Sequence, residues 1–178
     1  MASPSLPSPA LLFASVIYAE EESAVAALAA MSERYGQLEY CSPASAFDHT
    51  SYYGPEMGPN LKRRIIAFEQ LVGRASLPAI KLYTNAIERR LSDAAGQRRV
   101  NLDPGFVTLE QVTLATTKPY SHRIYLSEGI WAELCLTYRD QTYHELAWTY
   151  PDYASAEMVQ TMLDLRKIYG EKLKCQRA

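Results

Sequence analysis

Hydrophobic and polar positions along the first third of the chain predict a strand followed by a helix. A continuous apolar run over residues 11–18 contains Val and Ile and ends at an acidic cluster, which indicates a buried central strand. Acidic residues 20–22 then begin a helix that extends to about Arg34, because negative side chains favour the positive end of a helix dipole. Gly36 is a suitable C-cap for this helix. The positions predicted to face the core are Val25, Leu28, Met31 or Ser32, and Tyr35.

The next segments continue an alternation of strands and helices. A strand is predicted at about residues 37–42, a long structured loop at 43–60 and another strand at 62–68. A helix follows over residues 76–93, since a Pro stands in its first turn, and residues 98–101 supply a fourth strand. The order β-α-β-β-α-β predicts a ferredoxin-like core within an α+β fold.

The pattern changes to an antiparallel β-meander over residues 122–148, with turns at Gly129 and at 139–141, and this meander is appended to the core. The parity predicted to be buried carries Ile124, Leu126, Leu134, Leu136, Leu146 and Trp148. The opposite parity carries Arg123, Tyr125, Glu133, Thr137 and Glu145. A C-terminal helix is predicted at about residues 155–173, capped by Ser155. Its core-facing residues are Met158, Met162, Leu165 and Tyr169.

Composition indicates one globular domain in a reducing compartment. The chain has 178 residues, of which 48% are hydrophobic, enough to bury one core, so we expect a single domain at residues 10–178 after a flexible Ser- and Pro-rich tail at 1–9. A net charge of -2 creates no overall field toward DNA or an anionic membrane, and no stretch approaches the ~20 apolar residues of a membrane span. The tail lacks the basic start of a secretory signal, and the three cysteines lack metal-ligand spacing, which predicts a cytoplasmic protein.

The strongest candidate site segment is 98–105, where two cations precede a polar strand end. Asn101 and Asp103 are expected on one face of the strand, and the pair Pro104-Gly105 is expected to turn the chain close to a ligand. The alternative is a purely structural strand end in which Asp103 holds the turn.

A second candidate is a polar stripe on the predicted helix. Lys81, Asn85 and Glu88 follow i, i+4, i+7 spacing and share one side. A solvated face would have the same pattern, but Asn85 is a poor helix former, which favours a functional role. Lys81 can hold an anionic group as a compact point charge.

His49 and His122 are candidate general acids or bases, since histidine changes charge near neutral pH. Residues 49–51 have the H-x-[ST] form of the two-histidine phosphoesterases, but Ile124 stands where the second motif needs a hydroxyl. Strand parity directs His122 toward the apolar side with Ile124, so a buried, hydrogen-bonded His122 is the alternative.

Several oxygen and nitrogen donors would suit a hard or borderline divalent ion. They are Asp48, His49, Asp103, His122 and Glu133. No two of them have a spacing that predicts a metal site by itself, so the cofactor stays open, with a divalent metal as one option.

Basic side chains outnumber acidic ones in these segments, and tyrosines are available to stack on a ring. We therefore expect one cleft for a small anionic ligand, phosphate-bearing or nucleotide-like, with phosphate-ester chemistry as an extension. The candidate catalytic residues are His49, Asp103 and His122. The candidate ligand-binding residues are Tyr52, Tyr53, Lys81, Asn85, Arg98, Arg99, Asn101, Lys118, Arg123 and Tyr125. A non-catalytic nucleotide- or RNA-binding module would use the same groups, and a structural or partner-binding domain would use them to hold long loops.

A set of segments spread over the chain carries a family resemblance. They are residues 47–50, 52–53, 56–58, 81, 84–85, 98–105, 117–118, 122–126 and 148–153. Together they resemble the uncharacterised family called domain of unknown function 4416, which has no established activity. Some members carry a GTP-binding label, but this chain has neither a G-x-x-x-x-G-K-[ST] loop nor an Asn-Lys-x-Asp segment.

Overall fold

The computed structural model describes residues 3–48 and 52–176. Its strands are β1 (Ala10–Tyr18), β2 (Leu38–Cys41), β3 (Ser45–Ala46), β4 (Lys62–Val72), β5 (Val100–Val107), β6 (Gln111–Thr116), β7 (Arg123–Ser127), β8 (Ile130–Arg139) and β9 (Thr142–Glu145). Its helices are α1 (Glu21–Tyr35), α2 (Gly54–Met57), α3 (Leu77–Arg90) and α4 (Ala156–Cys175), with a short 3₁₀ turn at Arg74–Ser76 before α3.

The strands of the described residues form one antiparallel sheet. Its order is β2-β4-β1-β5-β6-β8-β7, with β3 added to β4 and β9 added to β8. β1 pairs with β4 on one side and with β5 on the other, so the prediction of a buried central strand is confirmed. The protein is therefore an α+β fold with a large antiparallel sheet and a C-terminal helix, as predicted. Among the described residues, no helix is long and apolar enough to cross a bilayer.

Both faces of the sheet are covered, because successive side chains of β1 point to opposite sides. Leu12, Val16 and the other even-numbered residues of β1 pack with α1 and α3. Leu11 and Phe13 pack instead beneath α4. The predicted core residues and Ser155 cap of α4 are confirmed, since the Ser155 side chain accepts a hydrogen bond from the Met158 N–H.

The predicted core face of α1 was partly wrong. Val25 is 60% exposed, whereas Ala24, Ala27 and Ala30 are buried with Met31. The alanines allow the helix backbone to lie close to the sheet, so the buried stripe is displaced from the one that the larger side chains indicated.

The predicted turn at residues 104–105 was also wrong. Both residues lie inside β5, where Pro104 is opposite Ala14 of the central strand. The strand β6 that follows was not predicted at all. Proline and glycine are common at turns, but both are also found in strands where a ladder bond ends or where backbones approach closely.

The burial predicted for the meander was reversed at its edge. Ile124 is 70% exposed and Leu126 is 38% exposed, whereas Glu133 is only 2% exposed. β7 is an edge strand paired only with β8, and Arg123 opposite Glu133 faces the interior. Parity arguments assume that the interior is apolar, and here the interior is a polar cavity.

Gly105 marks the closest approach within the sheet. A Cβ atom on this residue would lie 2.4 Å from the Thr113 carbonyl oxygen and 2.7 Å from the Phe13 ring. Such contacts require backbone movement in β5 or β6, because neither obstacle is a flexible side-chain end.

We predict that Gly105→Ala lowers the free energy of unfolding by about 1–3 kcal/mol, the usual cost of overpacking a core. Urea denaturation measures this. Gly73→Ala is the matched control, because a Cβ atom there meets no heavy atom within 4 Å and the residue has a φ of -64°. Equal stability of the two variants would contradict the close approach.

Candidate functional site: a polar cavity where the sheet opens

The sheet opens between β5 and β6. Their ladder is short and joins only the Gly105–Val107 end of β5 to residues 112–114, although β1 pairs with β5 along its whole length. The ladder ends beside Pro104, which has no N–H to donate to a neighbouring strand. Beyond this point the two strands separate.

Side chains of α3 replace the missing neighbour of β5. The Leu102 N–H donates to Glu88 Oε1 at 2.6 Å, and the Leu102 carbonyl accepts from Lys81 Nζ at 2.9 Å. Alternate residues of a strand present their peptide groups to the same side, so Leu102 and Pro104 face the same gap. The backbone of β5 is thus satisfied without closing the sheet.

A cavity of about 530 Å³ lies at this opening, within the usual size of a small-molecule site. The segment 98–105 and the polar stripe on α3 both contribute to its wall. The predicted residues that the structure brings together there are Tyr52, Tyr53, Lys81, Asn85, Arg98, Asn101, Asp103, Lys118, Arg123 and Glu133.

Other predicted residues lie elsewhere. Arg99 is outside the cavity and pairs with Glu20 at 3.5 Å. Tyr125 is 54% exposed and packs edge-on against Trp131, and Asp48 is exposed away from the lining. The predicted catalytic residue His49 lies outside the described residues.

One wall of the cavity is a chain of charged and amide groups. Arg98 binds Glu56 through two hydrogen bonds of 2.8 and 2.6 Å. Its third nitrogen donates to Asn101, whose amide donates to Asp103 at 2.7 Å, and Lys81 donates to the other Asp103 oxygen at 3.0 Å. Every member therefore holds its neighbour in one orientation.

The pKa values of Glu56 and Glu88 in this wall are shifted in opposite directions and by different causes. Hydrogen bonds from Arg98 lower the pKa of Glu56, and Glu56 in turn raises the pKa of Arg98. Burial raises the pKa of the Glu88 carboxyl, against the lowering influence of Lys81 and the Leu102 N–H. Burial therefore makes the ionised form of Glu88 costly.

The opposite wall is centred on Arg123. Its Nε donates to Glu133 Oε2 at 2.6 Å, and its two terminal nitrogens donate to the Lys118 carbonyl at 2.9 Å and to the Tyr150 hydroxyl at 3.0 Å. His122 stacks on Trp148 with ring centroids 5.0 Å apart, and its Nε2 lies 3.7 Å from Glu133 Oε1. His122 is therefore at the back of this wall and does not line the cavity.

The segment before α4 supplies lining residues that were not predicted. Asp152 forms a buried ion pair with Arg63, and Tyr150 and Tyr153 also face the cavity. The segment 148–153 carries part of the family resemblance, but it lies far in sequence from the other polar segments. The sequence signal that could have identified this segment as part of the site is its density of aromatic and acidic residues beside a proline.

Positive and negative charges in the described lining are nearly balanced. Its cations are Arg63, Lys81, Arg98, Lys118 and Arg123. Its carboxylates are Glu88, Asp103, Glu133 and Asp152. Within the described part of the chain, Lys118 is the lining cation without a carboxylate partner, and its ammonium lies over the Tyr52 ring at 4.1 Å.

The described residues, 3–48 and 52–176, contain no cluster of side chains that could bind a metal ion. No three His, Cys, Asp or Glu side chains there lie together in a way that could hold an ion. Of the candidates, Asp103 is bonded to Lys81 and Asn101, and Glu133 is bonded to Arg123.

The fold and this cavity define an α+β protein with a polar site in an opened antiparallel sheet. The sequence profile of domain of unknown function 4416 (DUF4416) matches residues 8–169, so the chain belongs to this family, as the resemblance predicted. Comparisons with curated proteins and with solved structures find no match.

We predict that Glu88→Gln changes the pH dependence of stability. Folding raises the pKa of Glu88 above its value in the unfolded chain. The contribution of this group to the free energy of unfolding is therefore full at low pH and is lost as the pH rises through the raised pKa. The variant keeps an acceptor for Leu102 but not the charge. Its free energy of unfolding minus that of the wild type should therefore increase between about pH 4 and about pH 7.

Urea denaturation at a series of pH values measures this difference. Glu171→Gln on α4 is the control for loss of an exposed carboxylate. A difference for Glu88→Gln that stays flat or falls with pH would contradict the prediction.

Proposed function

We propose that the cavity binds a small anionic molecule, phosphate-bearing or nucleotide-like. The observation that carries this proposal is that the site itself costs the fold stability. Replacing strand pairing by Lys81 and Glu88 brings charged groups to buried positions, where ion pairs rarely stabilise a fold more than apolar packing would. Such an arrangement in a cavity of ligand size is typical of a binding site.

The charges favour an anion at the rim of the cavity. The guanidinium groups inside are held by carboxylates, so they act as oriented donors and add little net charge. Lys118 is exposed, lines the cavity and supplies the unmatched positive charge. Its ammonium is held over the Tyr52 ring, which packs edge-on against Tyr53, so the cation has a fixed position at the cavity.

The arrangement supports binding more than phosphate-ester chemistry. Both oxygens of Asp103 accept hydrogen bonds from neighbours, which suits a positioning group better than a proton acceptor. His122 is stacked behind the wall, and His49 is outside the described residues. Catalysis is therefore not part of the proposal.

We predict that Lys118→Ala weakens binding of nucleoside monophosphates or sugar phosphates by about tenfold, the weight of one charged hydrogen bond. At about 100 times its Kd, a ligand adds about 2.7 kcal/mol to the wild-type free energy of unfolding, and roughly half of that gain should be lost. Thermal-shift titration measures both values.

Lys167→Ala is the matched control, because Lys167 is an exposed lysine on α4 away from the cavity. If no phosphate-bearing compound stabilises the wild-type protein in the thermal-shift titrations, the proposed function is wrong.

RNA binding is the second candidate, favoured by exposed aromatic residues in and around β7 and in the segment before α4. They are Tyr120, Tyr125, Trp148 and Tyr150. Such rings can stack on unpaired bases, each contributing about 1–3 kcal/mol. This surface predicts binding of a single-stranded oligonucleotide that weakens with salt and with Tyr125→Ala. Fluorescence anisotropy tests it, and absence of binding at low salt would eliminate this candidate.

The proposal extends to a ferredoxin-like core made of β1, β2, β4 and β5 with α1 and α3. The spatial order β2-β4-β1-β5, antiparallel throughout, supports this assignment, as does the packing of both helices on one face. An experimental structure with a different strand order would contradict it.

A cytoplasmic location is likewise proposed. Cys41, Cys135 and Cys175 are all free thiols, which suits a reducing compartment. Cell fractionation would test this location.

A further inference from the structure

Two buried polar atoms in the cavity lining have no hydrogen-bond partner among the described residues. They are Glu133 Oε1 and the Tyr153 hydroxyl. The two residues are 2% and 5% exposed. Buried polar groups are nearly always paired, so two unpaired ones in the wall of one cavity point to a partner that residues 3–48 and 52–176 do not supply.

Neighbouring side chains are held away from Glu133 Oε1. Arg123 bonds the other oxygen, and its remaining nitrogens are engaged by Lys118 and Tyr150. His122 Nε2, which is also buried without a hydrogen-bond partner among the described residues, lies 3.7 Å away, outside hydrogen-bond range, with its ring stacked on Trp148. Glu133 is therefore oriented by one oxygen and offers the other as an acceptor.

Tyr153 offers a neutral hydroxyl. Its ring is packed in the apolar cluster beneath α4, and burial raises its pKa, so the phenol keeps its proton. The group can both donate and accept a hydrogen bond. Its interior position contrasts with that of Lys118, which is exposed at the rim.

A ligand that serves both groups needs hydrogen-bonding atoms at its inner end, including a donor for Glu133. An anionic inner end would be repelled by Glu133, and an apolar one would leave both atoms unpaired. Hydroxyl groups fit, because each donates to a carboxylate and accepts from a phenol.

We propose that Glu133 and Tyr153 bind the sugar hydroxyls of a phosphate-bearing ligand whose anionic group lies toward Lys118. This inference rests on the proposed function and names its ligand class: a phosphorylated sugar, either free or as part of a nucleotide. The vicinal hydroxyls are the shared feature of both sources.

Tyr153→Phe tests the inference, with inorganic phosphate, ribose phosphate, deoxyribose phosphate and AMP as probes in thermal-shift titrations. The wild type should be stabilised more by ribose phosphate or AMP than by inorganic phosphate. Tyr153→Phe should weaken binding of the better probe by about tenfold, yet leave the unliganded protein at least as stable, because it removes an unpaired hydroxyl.

Tyr143→Phe is the matched control, since this buried tyrosine donates to the Thr108 carbonyl at 3.1 Å outside the cavity. It should lower stability and leave the ligand-induced shift unchanged. In the wild type, deoxyribose phosphate should bind more weakly than ribose phosphate, a comparison that does not depend on any variant folding.

Each outcome has one meaning. A shift with ribose phosphate alone identifies a free sugar phosphate, and a shift with AMP alone identifies a nucleotide. Equal stabilisation by inorganic phosphate, or a full shift retained in Tyr153→Phe, overturns the inference and leaves the proposed function standing. Absence of any shift in the wild type overturns both.

Discussion

The need to hydrogen-bond the peptide groups on one side of β5 is the constraint on which the site depends. An interior strand must satisfy N–H and carbonyl groups on both sides, and Pro104 removes one donor where β6 would pair. The chain meets this constraint with two side chains of opposite charge, Lys81 on the Leu102 carbonyl and Glu88 on its N–H. Because Lys81 and Glu88 are two helical turns apart, Asn85 lies between them on the same side, and it lines the cavity with no hydrogen-bond partner among the described residues.

The charge distribution of the cavity follows from this use of Lys81 and Glu88 in place of a neighbouring strand. Lys81 also holds Asp103, and Glu88 lies 3.6 Å from Arg98, so the groups that replace the strand also anchor the adjacent chain of ion pairs. That chain reaches Glu56 and so ties α2 to the residues that begin β5. The paired groups therefore determine the shape of the cavity, and the proposed ligand would be recognised by the unpaired ones.

Sequence patterns predicted the elements well where the interior is apolar. The all-apolar run of β1 and the periodicity of α4 led to the right elements, and the structure brings the polar stripe on α3 into contact with the segment 98–105. The same rules failed where the interior is polar. Pro104 was interpreted as a turn because its missing N–H looks the same in a turn as at an opened ladder, and Ile124 was predicted to be buried because alternation alone does not show which face meets a polar cavity.

The position of the unpaired groups argues for one orientation of a ligand. A phosphate group placed deep would lose its hydration beside Glu133 and gain no unmatched cation there. At the rim it keeps part of its water and meets Lys118, at the modest strength of a partly exposed pair that salt can screen. The interior would then supply directional hydrogen bonds, whose loss on binding the wrong partner would be costly because the described residues leave those atoms unpaired. Affinity and specificity are in this way assigned to different ends of the same cavity.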